Sequence, residues 1–235
     1  MTQTTETKAT ARLQVDIVSD VVCPWCYIGK RRIERAIALA PDLAVDVRWR
    51  PYFLNDWIPR EGISREQYLT TKFGSPERYK SIATRVGAAA AAEGLVYASD
   101  KMTRQANTVD CHRLIRWAGD QAGAMKQKLM DLYFTQGGDL SDREVLVRAA
   151  ADIGLDGDAT RAKLATDVDV DAVTADAEAA KQAGVEGVPF YVLGGVLAVS
   201  GAQAPEDLAN AIERAAADYA KRYAELGEAA AARPY

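Results

Sequence analysis

The chain has 235 residues, 49% hydrophobic and 26% charged, with a formal net charge of −4. These are the proportions of an ordinary globular chain. Its charges are mixed, without the basic stripe of a nucleic-acid binder or an acidic disordered block. No stretch approaches the roughly 18 apolar residues of a membrane span.

Residues 1–10 are polar and expected to be disordered, and "MTQTTETKATARLQV" lacks the apolar run of a secretory signal. A cytoplasmic location is therefore expected. "RLQVDIVSD" then alternates, with Leu13, Val15 and Ile17 on one face, which predicts a strand. After Cys23-Pro24, "WCYIGKRRIERAIALA" places Cys26, Ile33 and Ile37 at helical spacing, with Pro24 in the first turn and Pro41-Asp42 ending the helix. "AVDVRWRPYFL" is β-branched and aromatic, a second strand.

A long helical region follows. Helices are predicted over 64–73, 75–93, 107–121, 122–136, 141–153, 158–165 and 169–183. Ser64-Arg-Glu-Gln67 and Ser141-Asp-Arg-Glu144 have the spacing of capping boxes, in which two side chains satisfy free amides at a helix start. The β pattern then returns. "VEGVPFYVLGGVLAVSGAQ" predicts strand, a two-residue Gly194-Gly195 turn and strand. Pro205 opens a last helix with Leu208, Ile212 and Ala215 or Ala216 inward, and "GEAAAARPY" is expected to fray. The order describes one α/β unit carrying a helical insertion. The unit comprises 11–63 and 184–225, and the insertion 64–183.

Two of the three cysteines lie in "SDVVCPWCYIGKRR". Cytosolic thiols are normally kept reduced, so Cys-x-x-C there indicates metal or catalysis rather than a disulfide framework. Two residues between the cysteines, at a helix start, bring the sulfurs within bridging range. Cys23 is expected at the N-cap. There, free amides and the positive end of the helix dipole favour its thiolate. Cys26, one turn further in, is expected to be more buried. Cys23 would attack a disulfide and Cys26 would resolve the mixed disulfide. Two other readings stand beside this one. One is two structural cysteines at a helix start, since free Cys is often buried. Zinc needs two more ligands, and only Cys111 and His112 remain, neighbours about 100° apart on a helix; no metal is expected. Val188-Pro189 follows a glycine and enters a strand, which suits a cis X-Pro bond or simply the start of an edge strand.

Together "DVVCPWCYIGKRR", "ANTVDCHRL", "YFTQGGDLSDREVL" and "GVPFYVL…VSGAQ" resemble the DsbA type of the thioredoxin superfamily, in its cytoplasmic FrnE-like branch, over roughly residues 12 to 215. The resemblance implies an α/β thioredoxin fold interrupted by a large all-helical insertion, and thiol–disulfide oxidoreductase activity. It implies that Pro189 is a cis-proline facing the dithiol, with the Val188 backbone binding an extended substrate. Pro24 and Trp25 would complete the substrate-binding set. Related members of the branch, the kappa-class glutathione transferases and hydroxychromene-carboxylate isomerases, commonly carry serine at the first cysteine position. Ser200, Gly201 and Gln203 sit where such relatives contact glutathione; the favoured reading is a polar turn capping the last helix.

Other candidates are Asp20, a proton shuttle for Cys26 or a solvated loop acid, and His112, a thiolate-stabilising or a packing histidine. Asn107 belongs to the same segment as His112, and Cys111 lies with Leu114, Ile115 and Ala118 on an apolar face. Trp25 is expected to be partly exposed and Tyr27 to pack. Expected partners are disulfide- or thiol-containing proteins or small molecules. Glutathione is a possible redox partner, and no organic cofactor, nucleic acid or membrane is expected. Monomer and homodimer both stand. Two rival functions stand too: a glutathione-dependent isomerase or transferase using Cys23, and a non-enzymatic peptide-binding module around Pro189.

Overall fold

The computed structural model describes residues 12–226. The disorder expected at 1–10 and the frayed end expected at 227–235 lie outside them. Strand β1 (Leu13–Ser19) leads through helix α1 (Pro24–Leu39) to β2 (Val45–Pro51). A hairpin of β5 (Phe190–Leu193) and β6 (Leu197–Ser200) and helix α9 (Pro205–Leu226) end the described chain. These strands form one sheet in the order β2-β1-β5-β6, with β1 and β2 parallel and the other pairs antiparallel.

Strand alternation decides what each face packs against. Leu13, Val15 and Ile17 of β1 join Tyr191 and Leu193 of β5 in a core with Ile33 and Ala36 of α1 and Leu208, Ile212 and Ala215 of α9. Each of these side chains is at most 2% exposed, so α1 and α9 cover that face. The opposite face carries Val18, Tyr52, Val185 and Phe190. There helix α8 (Val170–Gln182) packs against β2 and leaves a largely apolar cavity of about 360 Å³ against the sheet. The cavity is not lined by the cysteines.

Between β2 and β5 the chain is mainly helical: α2 (Arg65–Phe73), α3 (Pro76–Ala92), α4 (Val109–Trp117), a short 3₁₀ turn (Gly119–Gln121), α5 (Ala122–Gln136), α6 (Arg143–Asp152), α7 (Gly157–Leu164) and α8. This segment also holds a two-residue ladder, β3 (Ile63–Ser64) with β4 (Arg104–Gln105), too short to leave a periodicity. Ser64 caps α2 as its spacing predicts, accepting from the Gln67 amide at 3.1 Å. The second capping box is corrected. Asp142, not Ser141, is the N-cap of α6 and accepts from the Glu144 amide at 2.8 Å, while Ser141 is hydrogen-bonded to Asp139. Carboxylate and hydroxyl are comparable N-caps, and here Asp139 takes the serine.

The hairpin turn is corrected as well. Leu193 pairs with Leu197, so the loop has three residues, Gly194 to Val196. Both glycines have positive φ (60° and 65°), the backbone a tight turn of this kind requires.

The register explains how the two ends of the sheet meet. Phe190 lies opposite Val18 in an antiparallel pair. Val188 and Pro189, just before β5, therefore arrive beside the connection from β1 to α1, which carries the cysteines.

Candidate active site

Cys23 is the N-cap of α1, with extended backbone (φ −87°, ψ 115°) and Pro24 as the first helical residue. Its Sγ lies 3.6 Å from the Val188 carbonyl oxygen, and the Val188–Pro189 peptide bond is cis. Cys26 lies one turn along α1, and its amide donates to the Cys23 carbonyl at 3.0 Å. Both are free thiols. The expected difference in burial is absent: Cys23 is 3% exposed and Cys26 1%. Trp25 between them is 41% exposed and forms the outer edge of the motif.

The thiols differ in electrostatics instead. Cys23 is held below the usual thiol range, chiefly by the Cys26 thiol and then by the Cys26 and Trp25 amides, against the opposing effects of burial and Asp20. Free amides of a helix start favour an anion placed there. Burial pushes Cys26 well up, and Cys23 adds to this; Lys126 and the Asp20 amide pull the other way.

Asp20 is a correction to the solvated-loop alternative, being fully buried. Its Oδ2 accepts from the Leu54 amide at 2.9 Å, and Oδ1 lies 3.4 Å from His112 Nε2. Burial pushes the carboxyl up, but His112, the Leu54 amide and Thr108 outweigh it and hold Asp20 below the ordinary carboxylate range. An ionised carboxylate only accepts, so the His112 nitrogen facing it carries the proton. Burial lowers His112 despite that partner, leaving a buried neutral imidazole on α4.

Because Asp20 raises Cys23, replacing its charge frees the thiolate. Asp20→Asn is expected to speed iodoacetamide alkylation of Cys23 by about two- to threefold near pH 6. A rate unchanged or slower in the variant contradicts this assignment.

The remaining candidates divide. The Gly201 amide donates to the Pro189 carbonyl at 2.8 Å, which ties the turn after β6 to the Val188–Pro189 segment. The Gln203 side chain donates to the Ser200 backbone carbonyl at 2.7 Å and so closes the turn. Asn107 donates to the Ile58 carbonyl at 2.7 Å and accepts from the Val109 amide at 3.0 Å, anchoring the start of α4. Cys111 is buried in the same core cluster as the dithiol, and burial raises its thiol well above the usual range. Tyr27 packs as expected, stacked on Phe134 with its hydroxyl donating to Asp131 at 2.6 Å. Among the described residues, no three His, Cys, Asp or Glu side chains are grouped to hold a metal ion.

Two residues escaped the sequence reading. A Cβ on Gly29 would lie 2.5 Å from Tyr191 Oη and 2.7 Å from Pro189 Cγ, so the bare backbone lets α1 approach Pro189. A glycine inside a helix costs about 1 kcal/mol relative to alanine, and that local cost was the available signal. Gly29→Ala is expected to cost about 1–3 kcal/mol by overpacking, measured as a shift in the urea midpoint at constant slope. The other residue is Lys126 on α5, buried among apolar side chains. Its signal was a charge on the helical stripe of Met125, Leu129, Met130 and Tyr133.

The sequence matches the family described as DSBA-like thioredoxin domain over residues 14–213. The chain belongs to the DSBA-like thioredoxin domain family. A probable DsbA oxidoreductase of Streptomyces coelicolor is 36% identical, over 87% of this chain and 90% of that one, with a TM-score of 0.80. A 2-hydroxychromene-2-carboxylate isomerase superposes with a TM-score of 0.63 at 17% identity, over 92% of this chain and all of the other. A cytosolic disulfide reductase of Pseudomonas aeruginosa, with GSH, does so with a TM-score of 0.56 at 16% identity, over 90% and 99% of the two chains. At those identities the last two likenesses are of fold alone. Within this DSBA-like fold, the strand ends and the start of α1 bring Cys23, Cys26, Val188 and Pro189 together. Asp20 and His112 lie behind them. Among the described residues, no helix is long and apolar enough to cross a membrane.

Proposed function

We propose that the chain is a thiol–disulfide oxidoreductase in which Cys23 is the nucleophile and Cys26 resolves. The observation that carries this is the opposite bias of two thiols one helical turn apart, Cys23 toward thiolate and Cys26 toward thiol. A nucleophile must be anionic to attack, and the resolving thiol must wait until the mixed disulfide exists.

The Cys23 thiolate attacks one sulfur of a substrate disulfide, and the other sulfur leaves as a thiolate. Cys26 then loses its proton and attacks the Cys23 sulfur. The Cys23–Cys26 disulfide forms, and the second substrate sulfur leaves. The substrate gains the two electrons that the dithiol loses, and both leaving thiolates take protons from solvent. No metal or organic cofactor enters these steps.

The Val188 carbonyl beside Cys23 suits an extended peptide or thiol segment that hydrogen-bonds in strand fashion, with Pro24, Trp25 and Pro189 as apolar walls. Substrates would be proteins or small molecules bearing a disulfide or thiol. Glutathione is the proposed redox partner, and the cytoplasm the proposed location.

The test is equilibration in glutathione buffers of graded poise, trapping Cys23 and Cys26 by alkylation and reading the mass. A single two-electron transition is expected, together with reduction of insulin disulfides that Cys23→Ser abolishes. If no Cys23–Cys26 bond forms at any poise, the reading fails. Full activity in Cys26→Ser would transfer the assignment to a single-thiol, glutathione-dependent enzyme.

A further inference from the structure

Lys126 is fully buried in the middle of α5, and its Nζ has no hydrogen-bond partner among the described residues. It sits 5.2 Å from the centre of the Trp49 ring of β2. α5 packs on α1 beside the dithiol, through the stacking of Tyr27 on Phe134 and the hydrogen bond from Tyr27 to Asp131. The titratable groups around Lys126 are Cys26 and Lys30 of α1, Cys23 at its N-cap, Asp20 just before it, and Cys111 and His112 of α4.

The other charged or titratable groups around this cation are engaged. Lys30 carries its own carboxylate, Glu34. Asp20 is occupied by the Leu54 amide, His112 and Thr108. Cys111 is raised well out of the thiolate range. Cys26 is the group whose charge most favours the ammonium, and Lys126 in turn opposes the burial of the Cys26 thiolate. A buried ammonium without a carboxylate is costly unless a counter-charge arises beside it.

We propose that Lys126 is the positioning residue of the resolving thiol, the buried counter-charge against which Cys26 becomes a thiolate. This rests on the dithiol reading above. When the Cys23 mixed disulfide has formed, the Cys26 proton passes to solvent, and the thiolate it leaves is favoured by the charge of the Lys126 ammonium. The thiolate then attacks Cys23, the Cys23–Cys26 bond forms, and the substrate thiolate leaves with the electron pair of the broken bond. Cys23 needs no such help, because helix-start amides already face its sulfur.

The experiment is stopped-flow mixing of reduced protein with one equivalent of dithiobis-nitrobenzoate. The first thionitrobenzoate reports attack by Cys23, and the second reports resolution by Cys26. In Lys126→Met and Lys126→Gln the second phase is expected to slow at least about tenfold near neutral pH. Its pH midpoint should move upward, while the first phase changes by less than about twofold. Two charge-removing variants of different polarity separate loss of charge from loss of packing, and either one alone decides if the other does not fold. A second phase with unchanged rate or unchanged pH midpoint overturns the proposal. So does equal slowing of both phases, which marks a structural role. Absence of any second phase in the unmodified protein is a different result: it removes the dithiol reading itself.

Discussion

Arg113→Leu is expected to lower the stability of the chain by about 3–5 kcal/mol, the usual cost of breaking a buried charged network by removing one member. Arg113 is fully buried in the middle of α4. Its Nε donates to the Val168 carbonyl at 2.8 Å, and Nη2 donates to the carbonyls of Lys163 and Thr166 at 2.8 and 2.7 Å. Nη1 reaches Asp110 at 2.6 Å, and the guanidinium lies 4.8 Å from the Trp117 ring centre. One planar group therefore satisfies the connection between α7 and α8 and ties it to α4. Leucine would fill the volume and leave these acceptors without their donor, each costing about 1–3 kcal/mol if it stays dry. Arg113→Lys is expected to recover little, since a single ammonium cannot reproduce the planar fork. Guanidinium unfolding at constant slope measures the loss; a change below about 1 kcal/mol overturns the assignment. Because α4 also carries His112, the variant should disturb the packing behind Cys23 as well.

Arg113 marks where sequence reading stopped. In "CHRLIRW" the apolar face is Cys111, Leu114 and Ile115, which leaves Arg113 on the side expected to meet solvent. The α7–α8 connection covers that side, a tertiary fact with no local periodicity. Asp20 went the same way: three residues before Cys23 it looks like a loop acid, and its burial depends on Leu54 and His112, 34 and 92 residues distant. By contrast, β1, α1, the hairpin and α9 were legible because their own spacing dictates a buried face. The start of α1 was legible for a chemical reason, since proline after a residue with free amides above it fixes both the cap and the direction of Cys23. Ser141 and Asp142 were ambiguous, because adjacent hydroxyl and carboxylate groups both accept from an amide. The three-residue turn differs from the predicted one by Val196 alone, which pattern cannot distinguish from the first residue of a strand.

Lys126→Met should make the protein more stable near neutral pH, by about 3 kcal/mol, whatever its effect on resolution. Burial lowers the Lys126 ammonium from 10.5 to about 8. The unfolded chain therefore holds this proton more tightly than the folded one, and folding a charged Lys126 is penalised. The penalty is complete below about pH 8, where both states are protonated. It fades between pH 8 and 10.5, where the folded chain has released the proton and the unfolded chain has not, and it is gone above. Methionine matches the unbranched stem, carries no charge and adapts to irregular apolar space, so it avoids the penalty at every pH. The measurement is urea unfolding of both reduced proteins near pH 7 and near pH 10. The variant's advantage should be largest at the lower pH and shrink towards the higher. An advantage independent of pH would attribute the gain to packing alone. A methionine variant less stable than the parent overturns the expectation and would mean that contacts of Lys126, such as that with the Trp49 ring, outweigh the burial of its charge.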